Sequence, residues 1–313
     1  MTIRVLKPGL ACTFQDLGRS GFQHLGVPVN GVMDENAHRL ANLLVGNEAD
    51  QATLEITLQG PELMFQAGAV IALGGADLGA TLDGEPFKPL RAMRVRSGAL
   101  LAFGKRINGA RAYLAVRNGF LLGETLGSTS TYVRGAYGGF AGRAIRRGDV
   151  IGIASGFANP PRVFLPRETR SLGCDDIPIR VVAGREWALF HPAAQARFLS
   201  SGYRIGNESD RMGYRLSGEK IELLEPVNLP SEAVCFGTIQ VPPNGQPIVL
   251  MADRQTTGGY PKIGSVISVD LPRLAQKLPG EEIRFEQVSL EQAQQLSLAR
   301  SDLFARLEAS HAN

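Results

Sequence analysis

The sequence predicts a mainly β protein with a few helices, built from two tandem, related barrel-like domains. Three observations predict it. Short apolar runs bounded by Gly, Pro and Asn recur along the whole chain, helical periodicity is confined to a few stretches, and several short motifs return in the same order on either side of a proline-rich middle. At 313 residues the chain also exceeds the size at which one hydrophobic core usually stops growing.

The strand signals are Ile3 to Leu6, Leu54 to Leu58, Val70 to Leu73, Tyr113 to Val116, Val150 to Ile153, Ile179 to Val182, Ile248 to Met251, Ile263 to Val269 and Ile283 to Val288. Thirty-seven glycines and 18 prolines, spread without a period, supply the tight turns that such short elements need. One helix is clear from Asp34 to Val45: Asp34 can cap it, Ala37, Leu40, Ala41 and Leu44 form its apolar stripe, and Gly46-Asn47 ends it. A second is predicted from Pro192 to Leu199. After Ser289, Gln292 stands in the capping-box position, and a stripe through Leu290, Ala293, Leu296, Arg300, Leu303, Phe304 and Leu307 predicts a packed amphipathic helix.

Between Ser155 and Pro178 the periodicity lapses and four prolines appear among scattered charges, the texture of a linker. The predicted division is therefore 1–155, a linker at 156–178, and 179–313 with the C-terminal helix. Four pairs of matches flank it: "IRVLKPG" from Ile3 with "IRVVAG" from Ile179, "RSGF" from Arg19 with "RMGY" from Arg211, "AYLAV" from Ala112 with "PIVLM" from Pro247, and "RRGDVIGI" from Arg146 with "LPGEEIRF" from Leu278. Their unequal spacing implies unequal copies of one β-barrel-like unit.

A net charge of +3 with both signs interspersed gives no argument for nucleic-acid binding. The N-terminus "MTIRVLKPGL" lacks a long apolar stretch, and "AGAVIALGGA" is too short to span a bilayer, so a cytoplasmic protein without membrane contact is expected. Cys12, Cys174 and Cys235 are odd in number and widely spaced, which suggests buried, inert thiols. His24, His38, His191 and His311 are dispersed, so no metal is assigned. The phosphate-cradling G-x-x-x-x-G-K-[ST] loop, the G-x-S-x-G elbow, the Gly-Ser-Ser-Gly run of a Ser-Ser-Lys amidase and the Ala-Met-Lys-Met biotin attachment site are all missing.

The densest polar stretch is "ADRQTTGGYPKIG", from Ala252 to Gly264. Gly258-Gly259 can turn with positive φ and let successive amides form an anion-holding concavity, to which Gln255, Thr256, Thr257 and Tyr260 add polar groups, Lys262 a charge, and Asp253 a general base or orienting acceptor. A glycine hairpin whose threonines bond their own backbone fits the same spacing. "NESDRMGYRLSG" adds Tyr214, Arg215 and Arg211, whose guanidinium can grip a carboxylate or phosphate with two parallel bonds, or bond loop carbonyls. Gln15, Asp16, Arg19 and His24 form a corresponding N-terminal group, fit for a second pocket or a partner interface. "LGSTSTYV", from Leu126 to Val133, supplies hydroxyls without a base beside them and reads as strand-end packing.

Taken together, "QDLGRSGFQHLGVPVNGVMD", "ATLEITLQGPEL", "SDRMGYRL" and "NGQPIVLMADRQTTGGYPKIG" resemble one bacterial family over nearly the whole chain: the 5-oxoprolinase C-subunit family, also described as KipA-like, urea amidolyase-related or allophanate hydrolase second-subunit-like. The resemblance implies two tandem cyclophilin-like β-barrel domains. It also implies two companion subunits, one KipI-like and one of the LamB/YcsF type, which together with this chain use ATP to open the lactam of 5-oxoproline to glutamate. In that setting Arg211, Lys262 and the Gly258-Gly259 turn would stabilise charge and Asp253 would orient the substrate. Related sequences carry out carboxyl transfer from biotin to urea, and a third reading is a regulatory antagonist of a KipI-like kinase inhibitor.

Overall fold

The computed structural model describes residues 1–154, 161, 163, 165, 166, 169 and 177–309; most of the predicted linker, Cys174 and His311 lie outside the described residues. The chain divides into two compact units, Met1–Arg19 with Asn30–Cys174 and Phe304–Asn313, and Ser20–Val29 with Asp175–Leu303.

Unit 1 carries strands β1 (Thr2–Lys7), β2 (Ala11–Gln15), β3 (Thr53–Thr57), β4 (Glu62–Phe65), β5 (Ala69–Gly75), β6 (Ala80–Leu82), β7 (Glu85–Pro86), β8 (Arg91–Val95), β9 (Leu100–Phe103), β10 (Arg111–Val116) and β11 (Val150–Gly152). They form a six-stranded sheet in the order β11-β1-β4-β9-β6-β7 and a five-stranded sheet in the order β2-β3-β10-β5-β8. Side chains such as Ile3, Phe14, Leu54, Phe65, Ile71 and Leu101 fill one buried cluster. Helix α1 (Glu35–Val45) covers β5 and β10, which is why β10 is buried along its full length and reads as a continuous apolar run instead of an alternating one. The close approach requires Gly74, where an added Cβ would stand 2.1 Å from the Ala37 carbonyl oxygen. The predicted caps of α1 are present: Asp34 Oδ1 accepts from the Ala37 amide at 2.9 Å, and Gly46 closes the helix at φ 75°.

Unit 2 carries β12 (Ile179–Ala183), β13 (Tyr203–Ile205), β14 (Gly213–Ser217), β15 (Glu232–Ala233), β16 (Thr238–Gln240), β17 (Ile248–Leu250), β18 (Thr257–Gly258), β19 (Lys262–Val266), β20 (Glu282–Ile283) and β21 (Phe285–Gln287), with helices α2 (Pro192–Ser200) and α3 (Leu271–Ala275); α4 (Leu290–Ala309) belongs to it as far as Leu303 and to unit 1 from Phe304. Its eight-stranded sheet runs β20-β13-β14-β17-β16-β19-β12-β21, with β15-β18 as a separate ribbon. The edge strands β20 and β21 are one chain segment interrupted at Arg284, the first half antiparallel to β13 and the second parallel to β12. One bent segment thus bonds both edges, and the sheet closes into a barrel. The class is therefore mainly β with barrel-forming sheets, as the sequence predicts.

Three elements differ from expectation. The run Ile283 to Val288 is split at Arg284 because its halves serve different neighbours. Helix α3, five residues long, is too short to show helical periodicity. The capping box of α4 forms, with Ser289 and Gln292 exchanging bonds at 2.9 and 3.2 Å, yet of its apolar stripe only Phe304 and Leu307 are buried.

One backbone pattern recurs in the two units. In unit 1 the Gly148 and Val5 amides donate to the Val5 and Asp149 carbonyls; in unit 2 the Gly280 and Ile205 amides donate to the Ile205 and Glu281 carbonyls. The segments from Arg146 and Leu278, matched in sequence, thus make the same two bonds, to β1 in one unit and to β13 in the other, while the Ile179 strand pairs with Phe285–Gln287.

Candidate functional site

Arg211 and Asp253 are brought together by the β14-β17 ladder, whose ends continue through backbone bonds from Met251 to Met212 and from Asp253 to Arg211. The Arg211 Nε and Nη2 atoms each donate to one Asp253 carboxylate oxygen at 2.9 Å. Asp253 is only 7% exposed. The fork that the sequence offered to a ligand thus holds a protein carboxylate, and Asp253 sits in the wall instead of on an exposed loop. Tyr214, the next candidate on β14, is buried against the sheet.

Lys262 opens β19. Its amide donates to Glu186 Oε2 at 3.1 Å, and its ammonium lies 3.6 Å from Glu186 Oε2 and 3.6 Å from Glu232 Oε2. The Nζ atom is enclosed and makes no hydrogen bond among the described residues, so it is held by two carboxylates at ion-pair distance. Glu186 is buried as well. Neither acid was singled out by the sequence: Glu186 follows the turn after β12 and Glu232 lies on the short β15, and neither position carries a motif.

The Gly258-Gly259 expectation is corrected. Neither residue has positive φ; Gly258 lies in β18, where it pairs with Glu232. An extended, paired backbone does not form the amide concavity that cradles phosphate. Glycine is needed at 258 for space: a Cβ there would come 2.5 Å from Gln240 Nε2. Gln240 is buried and bridges the loop, accepting from Gln255 at 3.3 Å and donating to the Tyr260 carbonyl at 3.5 Å. Gly258→Ala should displace this glutamine and cost about 1–3 kcal/mol of unit 2 stability, checked by denaturant unfolding; an unchanged midpoint would show that Gln240 moves aside freely. Thr256 contributes its backbone carbonyl to the Val234 amide, and Thr257 is exposed on β18. Tyr260 is 47% exposed and, with Gly259, Pro261, Leu229, Val241 and Ile221, lines a cavity of about 730 Å³. Asp253, Arg211 and Lys262 do not line it.

Arg254, passed over by the sequence reading, is 8% exposed. Its Nε donates to the Val234 carbonyl at 3.4 Å, and burial pulls its pKa below the ordinary value.

In unit 1, Gln15, Asp16 and Arg19 converge on Ser128 to Thr131. Burial alone would raise the Asp16 carboxyl, but the hydroxyls of Ser130 and Ser128 and the amides of Gly18 and Thr129 donate to it and hold its pKa below the ordinary value. Arg19 is fully buried, bonded to Asn30 and to the Ser130 and Thr125 carbonyls, with Tyr137 5.0 Å beneath its guanidinium. Gln15 donates to Thr13 Oγ1 and the Thr131 carbonyl. The "GSTS" hydroxyls therefore serve Asp16 and are not mere strand-end packing. His24 is exposed on a short 3-10 turn and shares none of these bonds.

Cys12 is buried, its thiol pushed up to about 12 by burial, whereas Cys235 is exposed, against expectation. His38 is a packing histidine: burial lowers its pKa to about 4, with its ring nitrogens against Thr53 and the Ala49 carbonyl. Among the described residues, no cluster of His, Cys, Asp and Glu could hold a metal ion, and no helix is long and apolar enough to cross a membrane.

Among proteins of known sequence, the chain is 39% identical over 298 residues to the 5-oxoprolinase C-subunit of Haemophilus influenzae, covering 94% of each chain. It is 37% identical to the 5-oxoprolinase C-subunit of Escherichia coli, covering 93% of each. Among solved structures, the Kluyveromyces lactis urea carboxylase superposes with a TM-score of 0.90 at 30% identity over 98% of this chain, which spans 29% of that larger one. Residues 25–287 match the family described as carboxyltransferase domain, subdomain A and B, and with relatives this similar over nearly its whole length, the chain belongs to that family.

Proposed function

We propose that this protein is the C-subunit of an ATP-dependent 5-oxoprolinase, acting with a KipI-like companion and a LamB/YcsF-type companion to hydrolyse 5-oxoproline to glutamate in the cytoplasm. The observation that carries the reading is the end-to-end match to C-subunit proteins, 94% of each chain in the Haemophilus influenzae case. An unstrained lactam is a poor electrophile, and ATP supplies the leaving group on oxygen that it lacks. The described residues around Gly258-Gly259 do not fit a phosphate cradle, so nucleotide binding is assigned to the assembly and not to this loop. The chain's own contribution is a preorganised polar wall: the Arg211-Asp253 pair fixes one carboxylate, and Lys262, enclosed between Glu186 and Glu232, is the cation that would meet negative charge developing on the substrate once either acid turns aside.

Carboxyl transfer to urea is the second reading, favoured by the TM-score of 0.90 to a urea carboxylase. The two are separated by reconstituting the chain with its companions. ATP-dependent glutamate release from 5-oxoproline is expected from the assembly and not from this chain alone. Carboxylated urea without glutamate release would replace the first reading by the second.

A further inference from the structure

Four arginines of the described residues are buried: Arg19, Arg111, Arg254 and Arg273. Arg19 bonds Asn30 and two carbonyls, Arg111 lies 3.9 Å from Glu55, and Arg273 pairs with Asp270 at 3.3 Å and bonds the Ile177 carbonyl. Arg254 is different. Among the described residues its side chain makes only the 3.4 Å contact from Nε to Val234, and the neighbouring Asp253 gives both carboxylate oxygens to Arg211. Its two terminal nitrogens have no partner among the described residues, and neither is enclosed. The side chain is mostly covered while its end stays open, and the neighbouring Asp253 carboxylate, whose charge acts on it, already bonds Arg211; a poorly hydrated cation of this kind favours an anion that can reach its open end. The free end presents two parallel N–H groups, the geometry that matches a carboxylate.

We propose that Arg254 is the substrate-carboxylate clamp, gripping the acid group of 5-oxoproline and selecting acid-bearing lactams over neutral amides. This rests on the lactam-opening reading above. It spares Arg211, whose Nε and Nη2 are taken by Asp253, and it gives a reason for a buried cation with an open end that neutral urea would leave unanswered.

The test is kcat/KM of the reconstituted assembly for ATP-dependent opening of 5-oxoproline, read as glutamate, and of 2-pyrrolidinone, the same ring without the carboxylate, read as 4-aminobutyrate. Arg254→Gln should lower kcat/KM for 5-oxoproline about 10- to 100-fold, mainly through KM, the range for losing a charge-assisted hydrogen-bonded contact. It should leave 2-pyrrolidinone unchanged, which also reports that the variant is folded. Arg254→Lys, with charge but no fork, should fall between. A retained wild-type preference in Arg254→Gln overturns the clamp and leaves the lactam reading standing. Equal loss on both rings, or a rise in KM for ATP alone, also overturns it, pointing to the fold or to a phosphate. A wild-type assembly that opens neither ring sinks both the clamp and the reading beneath it.

Discussion

Asp253→Asn is expected to cut glutamate release by the reconstituted assembly about a hundredfold to a thousandfold and to destabilise unit 2 by about 2–4 kcal/mol. The second effect follows from burial. An exposed-loop substitution would cost only about 0.5 kcal/mol, but Asp253 is 7% exposed and its two oxygens hold Arg211. Asparagine keeps the shape and removes the charge, which leaves the guanidinium underpaired in the wall. A double-mutant cycle with Arg211→Gln isolates the pair: the coupling should account for more than half of the stability loss. Additive single losses would show that the contact contributes little and that Asp253 acts through other neighbours.

Lys262→Ala is the second large expectation, with about a hundredfold to a thousandfold loss of turnover and about 1–3 kcal/mol of stability. Removing the ammonium leaves Glu186 buried without its cation and next to Glu232. Adding Glu186→Gln removes the stranded charge, so the double variant should regain much of the stability. Turnover should stay low in the double variant if the ammonium itself meets developing charge. Recovery of both together would make Lys262 a purely structural tie.

These two residues also show how far the sequence was readable. Asp253 and Lys262 stand out as polar groups beside strand signals, the unbroken apolar run Ile248 to Met251 and the recurring Ile263, Val266, Ile267 and Val269, while Arg211 stands out by its glycine-flanked motif alone. Their partners do not stand out. Arg211 and Asp253 are 42 residues apart and meet only because β14 pairs with β17. Glu186 reaches Lys262 from 76 residues away across the β12-β19 ladder. Strands of two or three residues, such as β13, β15, β16 and β18, are too short for an alternation of period two to register, so their neighbours could not be anticipated. The glycine pair misled for a related reason. Sequence shows that a side chain is missing, but whether its absence serves a left-handed turn or, as at Gly258, a close approach by Gln240 depends on which strand lies opposite. Arg254 lies in the middle of the most conspicuous motif, and only the open end of its otherwise buried side chain distinguishes it, a property no local pattern contains.

The bent segment that joins both edges of the unit 2 sheet has a consequence for synthesis on the ribosome. Ile179, which pairs with Phe285, leaves the ribosome about a hundred residues earlier, roughly 5–20 s at about 5–20 residues per second. The β13-β14-β17-β16-β19-β12 array is complete only once Val266 has emerged, about twenty residues before Phe285, and until the last segment follows, β12 and β13 each present an open row of amides and carbonyls, the template on which nascent chains associate edge to edge. Translation of Glu282–Gln287 seals both rows in one event. Nascent chains stalled short of Glu282 should therefore be the aggregation-prone species, and chains stalled with Gln287 clear of the exit tunnel should be soluble and resistant to protease.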